Sequence, residues 1–218
     1  MHRLNALLKI LLLLTAVQIL SGCAVGQKYA IEQADPNLSL AGSGSVAVTV
    51  QDQREYIVSG RNQPQLAGII RGGWGNPFFV STTSNRPLVE DMAESLSNSL
   101  NKKGFKVTPV TVLPQDDAVA VAGKLTTAGG DKLIHLGLLE WKPDMGAAGN
   151  LGLKFDFRLA VMNGSGNVLA QKDLTGFDDL GQLRGARFMV IYEQKVREAF
   201  SSKMEQLFNS PEVLQALR

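Results

Sequence analysis

Cysteine is nearly absent from this sequence, because Cys23 is the only one in 218 residues. A single thiol cannot form an internal disulfide, so the fold must be held by its hydrophobic core. Histidine is also scarce, since the chain contains only His2 and His135. A zinc site needs three or four ligands, so we expect no metal site and a structural role for His135.

An excess of charge of one sign is also missing. The chain has 22 Lys+Arg and 20 Asp+Glu. Two of the cations, Arg3 and Lys9, lie in the N-terminal segment discussed next, and without them the two counts are equal. A balanced charge provides no basic surface for nucleic acid, so we expect no nucleic-acid partner.

The N-terminus has the pattern of a secretory signal. Arg3 and Lys9 precede a largely apolar stretch, Ile10–Leu20, which is too short to span a membrane as a finished helix. The sequence Leu20-Ser21-Gly22-Cys23 resembles a lipobox, in which the thiol accepts a diacylglyceryl group before cleavage. We therefore predict a signal peptide over residues 1–22 and lipidation of Cys23. The alternative is an ordinary signal peptide, or an uncleaved anchor, with a chance cysteine.

Residues 23–44 are predicted to be a lipidated N-terminus followed by a flexible tether. They contain Asp35-Pro36-Asn37 and a run of small residues from Ala41 to Gly44. Such a composition buries little apolar surface. Residues 45–218 then show no repeat or further boundary, which indicates one domain.

Periodicity predicts an α/β (α+β) domain with a mixed sheet. Leu88, Met92, Leu96 and Leu100 form an apolar stripe at four-residue spacing. The two main helices are expected to pack on one face of the sheet. The predicted strands are Val46–Val50, Phe105–Val110, Leu133–Trp141, Leu153–Val161 and Val168–Phe177, and the predicted helices are Pro87–Lys103, 115–128, Ala186–Phe208 and a short one from Pro211.

Leu153–Val161 alternates apolar and charged residues, which is typical of a strand with one solvated face and an antiparallel neighbour. The turn to that neighbour is Asn163–Asn167. It includes Ser165 between two glycines, which superficially resembles a nucleophile elbow. An elbow joins a strand to a helix, however, so we expect a plain hairpin turn.

Residues 52–84 are rich in Gly, Asn and Pro and are predicted to be a long irregular loop, with Phe78–Val80 as one arm of a hairpin inside it. Arg54, Arg71 and Trp74 are its candidate binding residues, because arginine and tryptophan dominate binding hot spots. The glycines around Trp74 lack the Lys-Ser/Thr pair of a phosphate loop.

Two structural alternatives apply to the same loop. Asp52 could form an ion pair with Arg54 or Arg71 and pin the loop to the sheet. Trp74 could also fold back with Phe78 and Phe79 as a lid over the sheet edge.

Several short motifs follow the lipobox in a fixed order. They are Asp52-x-Arg54, Gly68-x-x-Arg71, Gly75-x-Pro77, Thr83, Pro87-Leu88 and Lys103-Gly104-Phe105. Their order resembles the YajG-like family of uncharacterised Gram-negative lipoproteins. The resemblance covers roughly residues 20–110, and beyond them only the order of elements and the ending Leu207–Val213 agree. It implies no catalytic residues and favours a non-enzymatic role in the envelope.

The expected function is a non-catalytic binding or accessory lipoprotein on the periplasmic face of the outer membrane. Ala24 follows the cysteine, and the absence of aspartate there favours sorting to that membrane. The expected partners are the membrane and an envelope protein or glycan, and no cofactor is expected beyond a diacylglycerol and an N-acyl chain on Cys23. The alternative is an envelope-polymer hydrolase that uses unidentified carboxylates, with Glu140, Asp144 and Asp156 as candidates.

Overall fold

The computed structural model describes residues 26–218, so the predicted signal peptide and Cys23 lie outside the described residues. The strands are β1 (Lys28–Tyr29), β2 (Ser45–Asp52), β3 (Leu66–Arg71), β4 (Pro77–Thr82), β5 (Lys106–Pro109), β6 (Lys132–Met145), β7 (Asn150–Asn163) and β8 (Val168–Gln182). The helices are α1 (Glu55–Val58), α2 (Leu88–Lys102), α3 (Ala118–Ala128), α4 (Phe188–Phe208) and α5 (Pro211–Ala216).

Strand β6 organises the sheet because both of its edges are paired. Along one edge it pairs with β7 in antiparallel orientation, and β7 pairs with β8 in the same way. Along the other edge its first half pairs with β2 and its last two residues pair with β3, both in parallel orientation. The sheet continues from β3 to β4 and β1, and from β2 to β5. The predicted mixed sheet and the predicted β6–β7–β8 meander are confirmed.

The two main helices pack on one face of the sheet, as predicted. In α2 the stripe of Leu88, Met92, Leu96 and Leu100 is fully buried. The apolar stripe of α4 lies in the same core, together with Phe155 and Phe157 of β7. This stripe consists of Tyr192, Val196, Phe200, Met204 and Leu207. Helix α3 covers the other face and places Val121 and Leu125 against a smaller cluster.

The tether prediction does not hold for residues 28–40, which pack onto the domain. Tyr29 and Ile31 belong to the core, and so do Leu38 and Leu40. The segment bonds to both main helices: the Ser95 hydroxyl of α2 donates to the carbonyl of Ala34 at 2.7 Å, and the amide of Asn37 donates to Glu205 of α4 at 2.8 Å. These apolar side chains bury surface that a flexible tether would expose. We call residues 28–40 the N-terminal seam.

The long-loop prediction for residues 52–84 is also wrong over most of its length. The segment folds into α1 and then into the antiparallel hairpin of β3 and β4. The predicted arm Phe78–Val80 lies in β4, so that part of the prediction is confirmed. The physical reason is burial, because Leu66–Ile70 is an apolar run that pairs with β4 on one side and β6 on the other.

Candidate functional site

The first candidate binding residue, Arg54, is structural. Its side chain is 0% exposed and forms two hydrogen bonds to Asp52, from Nε at 2.8 Å and from Nη2 at 2.6 Å. A third nitrogen, Nη1, donates to the carbonyl of Leu66 at 2.7 Å. The Asp52–Arg54 pair therefore joins the end of β2 to the start of β3. The expectation that Arg54 contacts a partner is corrected, because the guanidinium has no accessible surface.

Arg71 holds the base of the β3–β4 hairpin. Its Nε and Nη2 donate to the two carboxylate oxygens of Asp144 in β6, at 2.8 and 2.6 Å. Such a bidentate pair fixes geometry as well as charge. The Arg71 side chain is 38% exposed, so its outer edge remains accessible. The two arginines thus have different carboxylate partners: Arg54 pairs with Asp52, and Arg71 pairs with Asp144.

Trp74 stands at the tip of the hairpin and is 99% exposed. The tip is closed by two hydrogen bonds, from the Gly72 amide to the Asn76 carbonyl at 3.0 Å and from the Gly75 amide to the Gly72 carbonyl at 2.8 Å. Gly75 adopts φ 78°, a value that favours glycine. The lid alternative is wrong for Trp74, because an indole folded over the sheet edge would be buried.

A small cavity of about 190 Å³ lies behind the hairpin, between β3 and β6. It is lined in part by Tyr56, Phe79 and Trp141. The Tyr56 hydroxyl donates to Glu140 at 2.8 Å and also bonds to the Trp141 carbonyl at 3.1 Å. Burial raises the pKa of Tyr56, so it remains a neutral donor at physiological pH.

A larger groove of about 580 Å³ runs along the outer face of α2. We call it the α2 groove. Its polar wall includes Glu90, Glu94 and Asn98, and its apolar wall is the connector after β5, including Val110, Val112 and Leu113. Sequence reasoning missed this groove, because its walls come from a helix and a connector whose approach no local pattern indicates.

An ion pair and a buried hydroxyl line the α2 groove. Arg86 pairs with Glu94 and with the buried carboxylate of Asp91, the latter at 2.8 Å. Burial raises the pKa of Asp91, although Ser84 and Arg86 oppose the shift. The buried Ser97 hydroxyl has no hydrogen-bond partner among residues 26–218. An apolar wall opposite a polar one is typical of small binding clefts.

The carboxylates of the hydrolase alternative are spread along β6 and β7, and two of the three are bound to neighbouring groups. Glu140 of β6 pairs across the sheet with Asp156 of β7. Glu140 accepts from Tyr56 and lies 3.7 Å from the ammonium of Lys154, while Asp144 is held by Arg71. Glu140 and Asp144 are therefore both bound to neighbouring donors.

His135 and Ser165 occupy the structural positions expected of them. The His135 Nε2 lies 3.0 Å from the Gln51 side-chain oxygen, and burial lowers the pKa of the imidazole. Ser165 lies in the β7–β8 turn, where its amide donates to Asn163. Within the described part of the chain, no group of three or more His, Cys, Asp or Glu side chains could hold a metal ion.

Comparisons with known proteins yield distant structural similarities. No family model matches the sequence. No relative is found among curated proteins. Within residues 26–218, no helix has the length and apolar character needed to cross a bilayer.

Three solved structures illustrate the range of these similarities. A Xanthomonas campestris protein of the DUF330 family has 11% identity and a TM-score of 0.46, with 79% of this chain and 89% of the other covered. A Neisseria meningitidis lipoprotein has 12% identity and a TM-score of 0.43, covering 76% and 99%. The PelC dodecamer of Paraburkholderia phytofirmans has 13% identity and a TM-score of 0.38, covering 77% and 91%.

Proposed function

We propose that this protein is a non-catalytic lipoprotein of the bacterial envelope, acylated at Cys23, held on the periplasmic face of the outer membrane and related to the YajG-like family. The lipobox supports acylation, and Ala24 supports outer-membrane sorting. The observation that carries the proposal is the position of the N-terminal seam. It packs onto the domain from Tyr29 onward, only six residues after Cys23. An acyl chain on Cys23 therefore holds the whole domain at the membrane surface.

The proposed role is binding to another envelope component, a protein or a glycan, through the α2 groove. Its volume of about 580 Å³ is in the usual range for ligand clefts. Leu113 is an exposed apolar residue on its wall, while Glu90, Glu94 and Asn98 offer acceptors and an amide. The engagement of Glu140 and Asp144 by neighbouring donors supports binding over hydrolysis.

Anchoring is tested with Cys23→Ser in the full-length precursor. We expect an unlipidated, uncleaved precursor, because the peptidase acts after the thiol is modified. Ser21→Ala is the matched control, since it keeps a small residue in the lipobox, and it should mature normally. Metabolic labelling with a palmitate analogue and membrane fractionation give the readouts. Normal maturation of Cys23→Ser, together with outer-membrane fractionation, would contradict the proposal.

Sorting is tested separately with Ala24→Asp. This variant should remain acylated but fractionate with the inner membrane, whereas Ala24→Ser should still reach the outer membrane. If both variants fractionate identically, the residue after Cys23 does not determine the localisation and the outer-membrane assignment loses its support.

The α2 groove is tested by placing a photo-crosslinking residue at Leu113 in living cells, with Val119 as control. Val119 is exposed on α3, outside the groove. We expect a discrete adduct from position 113 that is absent from position 119 and is lost when Ala93→Arg fills the groove. Equal capture from both positions would place the partner elsewhere.

A further inference from the structure

The N-terminus and the tip of the β3–β4 hairpin lie at the same end of the sheet. Strand β1 is parallel to β4, with Lys28 beside Ser81. The Ser81 amide donates to the Gln27 carbonyl at 3.0 Å, which continues the pairing one residue further back. Going back from Lys28, the described residues Gln27 and Gly26 therefore lead toward the start of β4 and the tip, Gly72–Asn76.

The covalent chain sets a short limit on the distance between this end of the domain and the lipid. Gly26 follows Cys23 by three residues. Three fully extended residues span at most about 11 Å. The tip lies roughly three strand residues beyond the level of Gly26, which is about 10 Å at 3.3 Å per residue. Cys23 can therefore reach no further than about the height of Trp74, which keeps an attached lipid near this end of the sheet.

Exposed apolar side chains occur at this same end. Met145 at the end of β6 lies beside Ile70 of β3, so the following loop to β7 is close to the hairpin. The β8–α4 loop bonds to it, because the Leu183 amide donates to the Gly149 carbonyl at 2.8 Å. The first turn of α4 then exposes Val190, at 64%.

Contacts of Tyr192 hold the first turn of α4 against the sheet. Its hydroxyl lies 3.4 Å from the Pro143 carbonyl of β6, and its ring meets Tyr29 of β1 edge-on at 6.3 Å. The neighbouring Ile191 is exposed. Val190 and Ile191 therefore lie at the end of the sheet that carries Trp74.

Basic side chains accompany these apolar ones. Arg184 and Arg187 of the β8–α4 loop are exposed, and neither forms an ion pair with another residue of the described region. The acids at this end include Asp144, which Arg71 holds, and Asp178, which pairs with Lys203 at 2.6 Å. Asp179 accepts from the Gly181 amide at 2.8 Å and forms no ion pair within the described residues. The end therefore has two unpaired cations beside exposed tryptophan and aliphatic side chains.

We propose that this end is a second membrane contact, in which Trp74, Val190 and Ile191 enter the headgroup region and Arg184 and Arg187 bind anionic phospholipid headgroups. The inference rests on the proposed acylation of Cys23. Tryptophan favours the membrane interface because its ring is apolar and its N–H needs a polar partner. Basic side chains add attraction to an anionic surface. The contact would fix the orientation of the domain and direct the rest of its surface, including the α2 groove, to the periplasm.

The experiment uses the mature acylated protein in vesicles of phosphatidylethanolamine and phosphatidylglycerol. Flotation with the vesicles reports anchoring, and quenching of fluorescence by brominated acyl chains reports the depth of Trp74. The difference between the native protein and Trp74→Phe isolates Trp74, because Trp141 is buried in the core. We expect strong quenching by brominated lipid, and protection of Trp74 from iodide.

The matched control moves the tryptophan to the opposite end of the meander, as Val168→Trp in the Trp74→Phe background. Val168 is exposed and follows the turn at the far end of β7. Strand β7 spans 14 residues, so its two ends are about 43 Å apart, well beyond the depth of the headgroups. Quenching by brominated lipid should be several-fold weaker from position 168 than from position 74.

The outcomes separate the two proposals. Failure to float would refute the acyl anchor and the membrane contact together. Flotation with Trp74 open to iodide and untouched by brominated lipid would refute only the contact. Protection of Trp74 in whole envelopes but not in pure vesicles would identify a protein or glycan as the occupant and would also refute the membrane contact.

The role of the arginines is tested with the double variant Arg184→Gln and Arg187→Gln. It should reduce the quenching in these vesicles but not in vesicles of phosphatidylethanolamine alone. Equal quenching of the native protein and the variant in the anionic vesicles would remove the arginines from the proposal.

Discussion

The N-terminal seam and the hairpin tip Gly72–Asn76 contain turn-forming residues that predict irregular, mobile chain, yet they have opposite environments. The seam crosses from α2 to α4, and its apolar side chains are in the core. The tip projects from the sheet with its one large side chain, Trp74, almost entirely in solvent. Turn-forming composition therefore indicates where the chain leaves regular structure, but not whether that chain is buried.

The difference has a consequence for the membrane. Because the seam is packed, few residues separate the domain from Cys23. Because the tip lies at the end of the sheet where the seam begins, its exposed tryptophan is placed where a lipid anchor would bring the bilayer. A long flexible tether would have removed this constraint and allowed any face of the domain to approach the membrane.

The largest expected effect is in α2, the helix against which the seam packs. Leu96→Asp places a carboxylate at a fully buried position in the apolar core, which should cost several kcal/mol and prevent folding. Circular dichroism and thermal unfolding provide the measurement. Asn98→Asp adds the same charge on the exposed side of α2 and should unfold almost normally. A near-native melting temperature for Leu96→Asp would show that this helix does not face the core.

The next effect tests whether the seam belongs to the domain. Leu38 is fully buried, so Leu38→Ala should lower the free energy of unfolding by about 2–5 kcal/mol. Urea denaturation measures the change, and Ser39→Ala, at an exposed neighbouring side chain, is the control. A loss below about 0.5 kcal/mol, as is typical of surface sites, would restore the tether prediction.

The parts of the fold that could be predicted from the sequence have local periodicity. The apolar stripe of α2 repeats over several helical turns, and the apolar–polar alternation of β7 repeats over several residue pairs. One residue that departs from either pattern would not hide it. The seam has only two short alternating pairs, Tyr29 with Ile31 and Leu38 with Leu40. Asn37 of the seam bonds to Glu205, which is 168 positions away in the sequence. The burial of the seam therefore depends on contacts that no local sequence window contains.

The candidate site shows the same limit at the level of single residues. Asp52-x-Arg54 indicated an ion pair, and that pair formed. The partner of Arg71 was not apparent, because Asp144 is 73 positions away and becomes its neighbour only through the β3–β6 pairing. Exposure of Trp74 follows from the length of the hairpin, which places the turn beyond the sheet; composition alone could not separate a lid from a tip.

A smaller effect concerns the electrostatics of the seam. Burial raises the pKa of Glu32, and the carboxylates of Asp91 and Glu94 add to the increase. One of its oxygens is buried without a hydrogen-bond partner within residues 26–218. Since the folded pKa lies above the unfolded value of about 4.5, the ionised carboxylate destabilises the fold at neutral pH. This penalty is relieved as the pH falls through the folded pKa.

Glu32→Gln should therefore raise the free energy of unfolding at pH 7. The gain should shrink as the pH falls and vanish below the unfolded pKa, because the native carboxyl is then neutral in both states. Urea titrations across this range measure the difference, and Glu198→Gln, on the exposed side of α4, should show no comparable gain. A gain that is constant with pH would assign the effect to packing rather than to charge.

The smallest effect on stability is expected at the hairpin tip. The Trp74 side chain is 99% exposed, so Trp74→Ala removes almost no buried surface. We expect the free energy of unfolding to change by less than about 0.5 kcal/mol, as for other surface sites. Trp141 is the internal contrast, because its indole donates to the Tyr29 hydroxyl at 3.0 Å inside the core, and Trp141→Ala should cost about 3–5 kcal/mol.

The exposure of Trp74 is measured by fluorescence quenching. In detergent solution, iodide should quench the native protein strongly and Trp74→Ala weakly. Weak quenching of the native protein, or a loss of several kcal/mol in Trp74→Ala, would mean that the indole is folded against the sheet and that the two regions do not differ as described.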